Sequence, residues 1–127
     1  MSGPAHPTGA PLALLRAEGA AVAVGAAVLA WHLGPPWWLA VIVLAAPDVA
    51  IATYALGPRV GAVCYNAAHS YLGPALVAGL WLVTGNAVAA EVAALWALHI
   101  GADRALGFGL KYATAFGDTH LGPAGRR

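Results

Sequence analysis

The sequence predicts an all-α fold: a four-helix transmembrane bundle with its N-terminus and C-terminus in the cytoplasm. Hydrophobic residues make up 61% of the 127 residues and charged residues only 9%, against about 25% charged residues in soluble domains. A soluble domain of this size has too much surface for its volume to bury that many apolar side chains. The apolar residues also form four segments of about 20 residues, the length that spans a bilayer.

Proline and glycine residues separate the four predicted spans. The spans cover about 12–31, 37–56, 60–83 and 87–111, with Gly34-Pro35-Pro36, Gly57-Pro58 and Gly85-Asn86 in the connections. The apolar runs are continuous and rich in Ala and Leu, which disfavours membrane-spanning strands. We expect a membrane domain at 12–122, a short disordered tail at 1–11 and a basic tail at 123–127.

The basic residues predict the orientation. With both termini inside, every Lys and Arg falls on the cytoplasmic side, as the positive-inside bias requires. These residues are Arg16, Arg59, Arg104, Lys111, Arg126 and Arg127. We therefore expect a multi-pass protein of the inner (plasma) membrane whose main partner is the lipid bilayer. The net charge of +1, without a basic patch, gives no reason to expect nucleic acid as a partner. Oligomers remain an open expectation.

Three ionisable residues on three different spans fall at one predicted depth. A helix rises about 1.5 Å per residue, which puts Asp48, His69 and His99 close to the middle of a core about 30 Å thick. Asp103 follows His99 by one helical turn and shares its face. Ionisable side chains in a membrane are costly and face the bundle interior. The pattern predicts a polar intramembrane site.

Several stretches resemble a family of small bacterial membrane proteins, the domain of unknown function 4260. They are APD at 46–48, GPRVG at 57–61, YNAAH at 65–69, HIGADRALGFGLKY at 99–112 and FGDTHLG at 116–122. The resemblance covers roughly 12–122 and implies a four-helix membrane architecture. It implies no activity.

Imidazole and carboxylate groups suit Zn²⁺ or another divalent metal. We expect His69, His99 and Asp103 to hold such an ion, with Asp48 as the catalytic base or a fourth ligand. This centre would hydrolyse a lipid or other amphiphilic substrate. Secondary candidates for the site, or for a C-terminal segment that covers it, are Glu18, Asn66, Arg104, Lys111, Asp118 and His120.

Three alternatives stay open at this point. The polar residues could form a purely structural network, with His99 paired to Asp103 or Asp48 paired to Arg104. They could belong to a proton- or ion-coupled transport subunit, since such chains relay protons across membranes. His69 and His99 could also ligate haem, although the nearby carboxylates suit that group poorly. Whether the protein is an enzyme is therefore open from the sequence.

Overall fold

The computed structural model describes residues 6–124, so the outer parts of both predicted tails lie outside the described residues. Most of the described residues are helical, and one short strand pair lies in a non-helical segment after the last helix. The helices are α1 (Gly9–Leu33), α2 (Trp37–Ala45), a 3-10 helix (Ala46–Leu56), α3 (Pro58–His69), α4 (Leu72–Thr84) and α5 (Ala87–Leu106). The predicted all-α class is confirmed.

Helices α1 and α5 form the tightest pair, and they run antiparallel. Gly19 of α1 lies against Arg104 and Gly101 of α5, while Ala30 packs with Ala94 and Leu95 near the other end. A Cβ atom at Gly19 would lie 2.5 Å from the Arg104 Cβ. Small residues thus let the two backbones approach closely, as small residues do in membrane helix pairs.

The second apolar segment changes its helical type at Pro47. It is an α-helix up to Ala45 and a 3-10 helix from Ala46 to Leu56. Proline lacks an N–H and disturbs the preceding turn of an α-helix. A 3-10 run of 11 residues is much longer than the usual three or four.

The third apolar segment, expected as one span over 60–83, is two helices in the structure. Helix α3 ends at His69, Ser70 is extended (φ −93°, ψ 151°), and α4 begins at Leu72. Pro74 explains the break, because its ring would clash with the Ser70 carbonyl in a continuous helix. In α4 the same proline occupies the first turn, where its missing N–H costs nothing.

The C-terminal segment, residues 107–124, folds back against the end of the bundle. Helix α5 ends at Leu106 and is capped by Gly107, which has φ 92°. Beyond it, the strands β1 (Asp118–Thr119) and β2 (Gly122–Pro123) pair antiparallel. Leu121 is 1% exposed and anchors this segment.

The surface is strongly apolar. Large side chains are widely exposed, among them Trp31 at 84%, Leu76 at 77% and Val83 at 86%. The fully buried large side chains are only Ile100 and Leu121 among the described residues. Two segments, Gly9–Leu33 and Trp37–Leu56, are long and apolar enough to cross a membrane by length and composition.

Candidate metal centre

Four side chains from three parts of the chain converge on one point. Asp48 comes from the 3-10 helix, His69 from the end of α3, and His99 and Asp103 from α5. One ligand atom of each lies within 4.8 Å of every other. The four residues singled out from the sequence are therefore brought together.

Five separations between these atoms are close to those of a tetrahedral metal site. The His69 Nε2 lies 3.1 Å from the Asp48 Oδ1 and 3.6 Å from the Asp103 Oδ2. The His99 Nε2 lies 3.3 Å and 3.2 Å from the same two oxygens, and 3.3 Å from the His69 Nε2. Ligand bonds of about 2.0–2.1 Å in tetrahedral geometry separate neighbouring ligand atoms by about 3.3–3.4 Å. Five of the six separations in the cluster therefore lie close to those of such a site, and the four atoms all lie within 4.8 Å of one another.

Backbone carbonyls orient both imidazoles. The Nδ1 of His69 donates to the Tyr65 carbonyl at 2.9 Å, and the Nδ1 of His99 donates to the Leu44 carbonyl at 2.6 Å. With each Nδ1 carrying the hydrogen, each neutral ring presents a lone pair at Nε2. Two lone pairs and two carboxylates then face one centre, so the cluster requires a positive charge there. Such orienting bonds are the usual support of metal-binding histidines.

The helical change at Pro47 makes the Leu44 carbonyl available to His99. In a 3-10 helix the donor to this carbonyl would be the residue three positions on. That residue is Pro47, which has no N–H. The sequence feature that alters the second segment thus also positions a site residue on α5.

Side chains of α5 also bind the backbone carbonyls that the break after His69 leaves without helical partners. The last carbonyls of a helix have no partner within it. Here Trp96 donates its Nε1–H to the Ala68 carbonyl at 2.7 Å, and Arg104 donates from a guanidinium nitrogen to the His69 carbonyl at 2.9 Å. One structural alternative had paired Arg104 with Asp48. In the structure the guanidinium of Arg104 instead binds the His69 carbonyl.

The centre is buried on one side and open on the other. The side chains of His69 and His99 are 3% and 9% exposed, and that of Asp103 is 23% exposed. Asp48 is 54% exposed. A molecule approaching the centre from outside therefore meets Asp48 first.

An aromatic stack connects the centre to the C-terminal segment. The ring of Tyr65 lies parallel to the His69 imidazole, with 3.7 Å between centroids. The Lys111 Nζ lies 4.5 Å from the Tyr65 centroid and 3.8 Å from the Phe116 centroid. Lys111 is 5% exposed and donates to the Phe116 carbonyl. Burial lowers its pKa.

Asn66 holds the C-terminal segment through the backbone of Lys111. Its Oδ1 accepts from the Lys111 N–H at 2.7 Å, and its Nδ2 donates to the Lys111 carbonyl at 2.8 Å. Among the secondary candidates, Asn66 and Lys111 thus fix the segment beside the centre rather than joining the cluster.

The other secondary candidates lie outside the cluster. Asp118 accepts from the Thr114 hydroxyl at 2.6 Å on the exposed face of the segment. His120 accepts at Nδ1 from the Leu110 N–H at 2.8 Å, and burial together with the Arg104 charge lowers its pKa. Glu18 and Arg104 line a separate cavity with His120.

The site predicted from the sequence did not include Tyr65, Trp96 or the Leu44 carbonyl. Tyr65 had a signal, because it precedes His69 by four residues and so shares its helix face. Trp96 and the Leu44 carbonyl had none, since their roles depend on which helix packs against which.

A family model described as a domain of unknown function matches residues 12–124, most of the chain. No curated protein and no solved structure matches the chain.

Proposed function

Because the chain belongs to a family of unknown function, the domain of unknown function 4260, we propose a function from the geometry of its site. The protein would be a metal-dependent membrane protein that hydrolyses a lipid or other amphiphile. The observation that carries the proposal is the convergence of two imidazole nitrogens and two carboxylate oxygens within 4.8 Å of one another. Zinc fits this donor set of imidazole and carboxylate groups best.

The exposed apolar surface supports a membrane location. Monomeric soluble proteins rarely expose apolar patches larger than a few hundred Å². We propose four spans: α1, α2 with the 3-10 helix, α3 with α4 as one broken span, and α5. Broken spans are tolerated where the freed backbone groups find partners inside the protein, as Ala68 and His69 do.

The positions of the helix ends support termini on one side. The Arg16 Nε, near the start of α1, donates to the Ala105 carbonyl at the end of α5 at 2.8 Å. We propose that this end faces the cytoplasm of a cell whose inner membrane contains the protein, because the described basic residues lie toward it.

The three more buried side chains are proposed as ligands and the most exposed one as the base. His69, His99 and Asp103 would hold the ion, while Asp48 would accept a proton from the attacking water and return it to the alcohol or amine that leaves when the acyl bond breaks. A bound divalent ion supplies a lowered pKa for that water and polarises the scissile carbonyl. The side chain of Asp48 lies against the centre and is also half exposed at the surface of the protein, so it can contact both the ion and a substrate.

An apolar groove beside the centre supports an amphiphilic substrate. Its volume is about 280 Å³, and Pro47 and Ala68, the neighbours of Asp48 and His69, are in its wall. Side chains of Ile42, Val43, Val92 and Trp96 complete an apolar lining. An acyl chain in this groove would bring its polar end to Asp48.

Hydrolysis is tested with the full chain in lipid vesicles that contain fluorogenic acyl-ester and acyl-amide lipids, with and without zinc. We expect zinc-dependent cleavage of one class and its loss, by about 10²-fold or more, in Asp48→Asn with the metal retained. The matched control is Asp118→Asn, a carboxylate outside the cluster. Cleavage that is unchanged in Asp48→Asn, or absent for both lipid classes with zinc bound, would contradict the hydrolase proposal.

A further inference from the structure

A polar cavity separate from the metal centre lies between α1, the end of α5 and the C-terminal segment. Its volume is about 160 Å³. Glu18, Tyr71, Arg104 and His120 contribute its polar groups, and the rest of its wall is apolar apart from Gly19. None of the four cluster residues is in this wall. The cavity is therefore distinct from the metal centre, although Arg104 follows Asp103 directly.

Arg104 is fixed at the wall of this cavity. Its Cβ packs against Gly19, its guanidinium donates to the His69 carbonyl, and its Cζ lies 5.2 Å from the Tyr71 ring centroid. A guanidinium has five N–H donors, and the bond to His69 uses one. Most of its donor capacity is thus left for another acceptor.

His120 adds a neutral donor to the same wall. Because its Nδ1 accepts from the Leu110 N–H, the ring hydrogen is at Nε2. Within residues 6–124 neither this Nε2 nor the Tyr71 hydroxyl has a hydrogen-bond partner, and neither is sealed inside the protein. A guanidinium, an imidazole N–H and a phenol together suit a phosphate group.

Glu18 brings the opposite charge into the same cavity. Within the described part of the chain, Glu18 and Arg104 line one cavity but form no ion pair with each other. A simple anion would bind Arg104 and leave a carboxylate nearby that repels it. A ligand with both a phosphate and an ammonium group satisfies both charges.

We propose that this cavity binds the head group of a phosphoethanolamine lipid, with its phosphate at Arg104 and His120 and its primary ammonium at Glu18. A phosphocholine head group cannot donate hydrogen bonds to Glu18, and a phosphoglycerol head group has no positive charge for it. The inference rests on the membrane location proposed above and not on the metal.

The position of the cavity in the fold suits a head group. One wall is formed by His120 and Leu121 of the C-terminal segment, which lies outside the helices. This is the end of the bundle where α1 begins and α5 ends. In the proposed topology it lies at the cytoplasmic interface, the depth of lipid phosphates.

The test uses the detergent-purified full chain and soluble short-chain lipids with phosphoethanolamine, phosphocholine or phosphoglycerol head groups, with affinity measured by tryptophan fluorescence. We expect phosphoethanolamine to bind about tenfold more tightly than the others, the effect of one charge-assisted hydrogen bond. Glu18→Gln should remove this preference. Glu91→Gln, the same change on α5 away from the cavity, should keep it. Equal affinities in the wild type, or a preference that persists in Glu18→Gln, would overturn the proposal.

Arg104→Gln should weaken all three lipids, and the metal content of that variant is measured beside it because Arg104 also binds the His69 carbonyl. If that variant does not fold, Glu18→Gln still decides. Chelator-treated wild type should keep the head-group preference. A wild type that binds no added metal but shows the preference refutes the metal proposal alone, and a wild type that binds metal without the preference refutes the head-group proposal alone.

Discussion

The Nε2 atoms of His69 and His99 face each other at 3.3 Å, and each ring is held there by a hydrogen bond from its Nδ1 to a backbone carbonyl. Two neutral imidazoles in these tautomers repel each other through their lone pairs. The two carboxylates add further negative charge. A cation at the centre converts this repulsion into attraction, and the predictions that follow for the cluster derive from that requirement.

Zinc should stabilise the chelator-treated protein. A ligand that binds only the folded state at about 100 times its Kd contributes about 2.7 kcal/mol. The thermal midpoint in detergent should therefore rise as zinc is added. Asp103→Asn should reduce the rise, because it removes one ligand charge, whereas Asp118→Asn should behave as the wild type. An equal rise in wild type and Asp103→Asn would count against Asp103 as a ligand.

The close contact of α1 and α5 predicts opposite effects for two glycines on α1. A Cβ at Gly19 meets Arg104 and the Gly101 carbonyl, whereas a Cβ at Gly25 meets nothing within 4 Å. Gly19→Ala should lower the free energy of unfolding by about 1–3 kcal/mol, because the helices must separate. Gly25→Ala should be neutral or stabilising by up to about 1 kcal/mol. Thermal denaturation of both variants checks this, and equal midpoints would contradict the packing.

Asn66 should control the docking of the C-terminal segment. Asn66→Ala removes two hydrogen bonds to the Lys111 backbone, worth about 1–3 kcal/mol in total, or roughly 5- to 150-fold in the population of the open segment. Trypsin should then cleave faster after Lys111, which is 5% exposed in the docked segment. Cleavage sites are identified by mass spectrometry. Asn86→Ala, which removes a helix cap far from the segment, should leave the rate unchanged; acceleration in both variants would point to general loosening.

Acid should weaken the contact between His120 and Leu110. Burial and the Arg104 charge lower the pKa of His120 from its ordinary value of 6.5, so the released form binds a proton more readily than the docked form. The contribution of this contact to docking is therefore fully present above pH 6.5 and is lost as the pH falls through the lower, docked pKa. Protection of the Leu110 amide from hydrogen exchange, corrected for the intrinsic rate, should fall between neutral pH and about pH 5.

His120→Gln serves as the control for this pH dependence, because it does not titrate. The protection of Leu110 in this variant should not change with pH over the same range. Any other group that binds a proton over this range is common to both proteins and cancels in the comparison. Protection that falls equally in wild type and His120→Gln would show that another group is responsible.

The sequence predicted a common level for the cluster residues along the helices, because the rise of an α-helix per residue is nearly constant. Asp48, His69 and His99 could be placed at one level by counting residues, but counting says nothing about which way a side chain points around its helix. The four side chains converge because the helix breaks after His69 and because the second apolar segment changes from an α-helix to a 3-10 helix at Pro47. Pro74 carried the signal for the break, and an apolar run across it concealed that signal.

The C-terminal segment was harder to predict for a different reason. Residues 107–124 have no apolar periodicity, and their structure depends on single contacts such as Asn66 with the Lys111 backbone. These join residues 45 positions apart, which no local pattern reveals. The polar composition of the segment was enough to predict that Lys111 and His120 fold back toward the bundle. Their hydrogen-bond partners could be identified only in the structure.

Elemental analysis of the protein purified in detergent without chelator tests the central claim most directly. Wild type and His32→Ala, a histidine on α1 outside the cluster, should carry close to one divalent metal ion per chain. His69→Ala and His99→Ala should carry none. Absence of metal from the wild type even after zinc is added, or metal retained by both cluster variants, would contradict the account and leave protons as the positive charge at the centre.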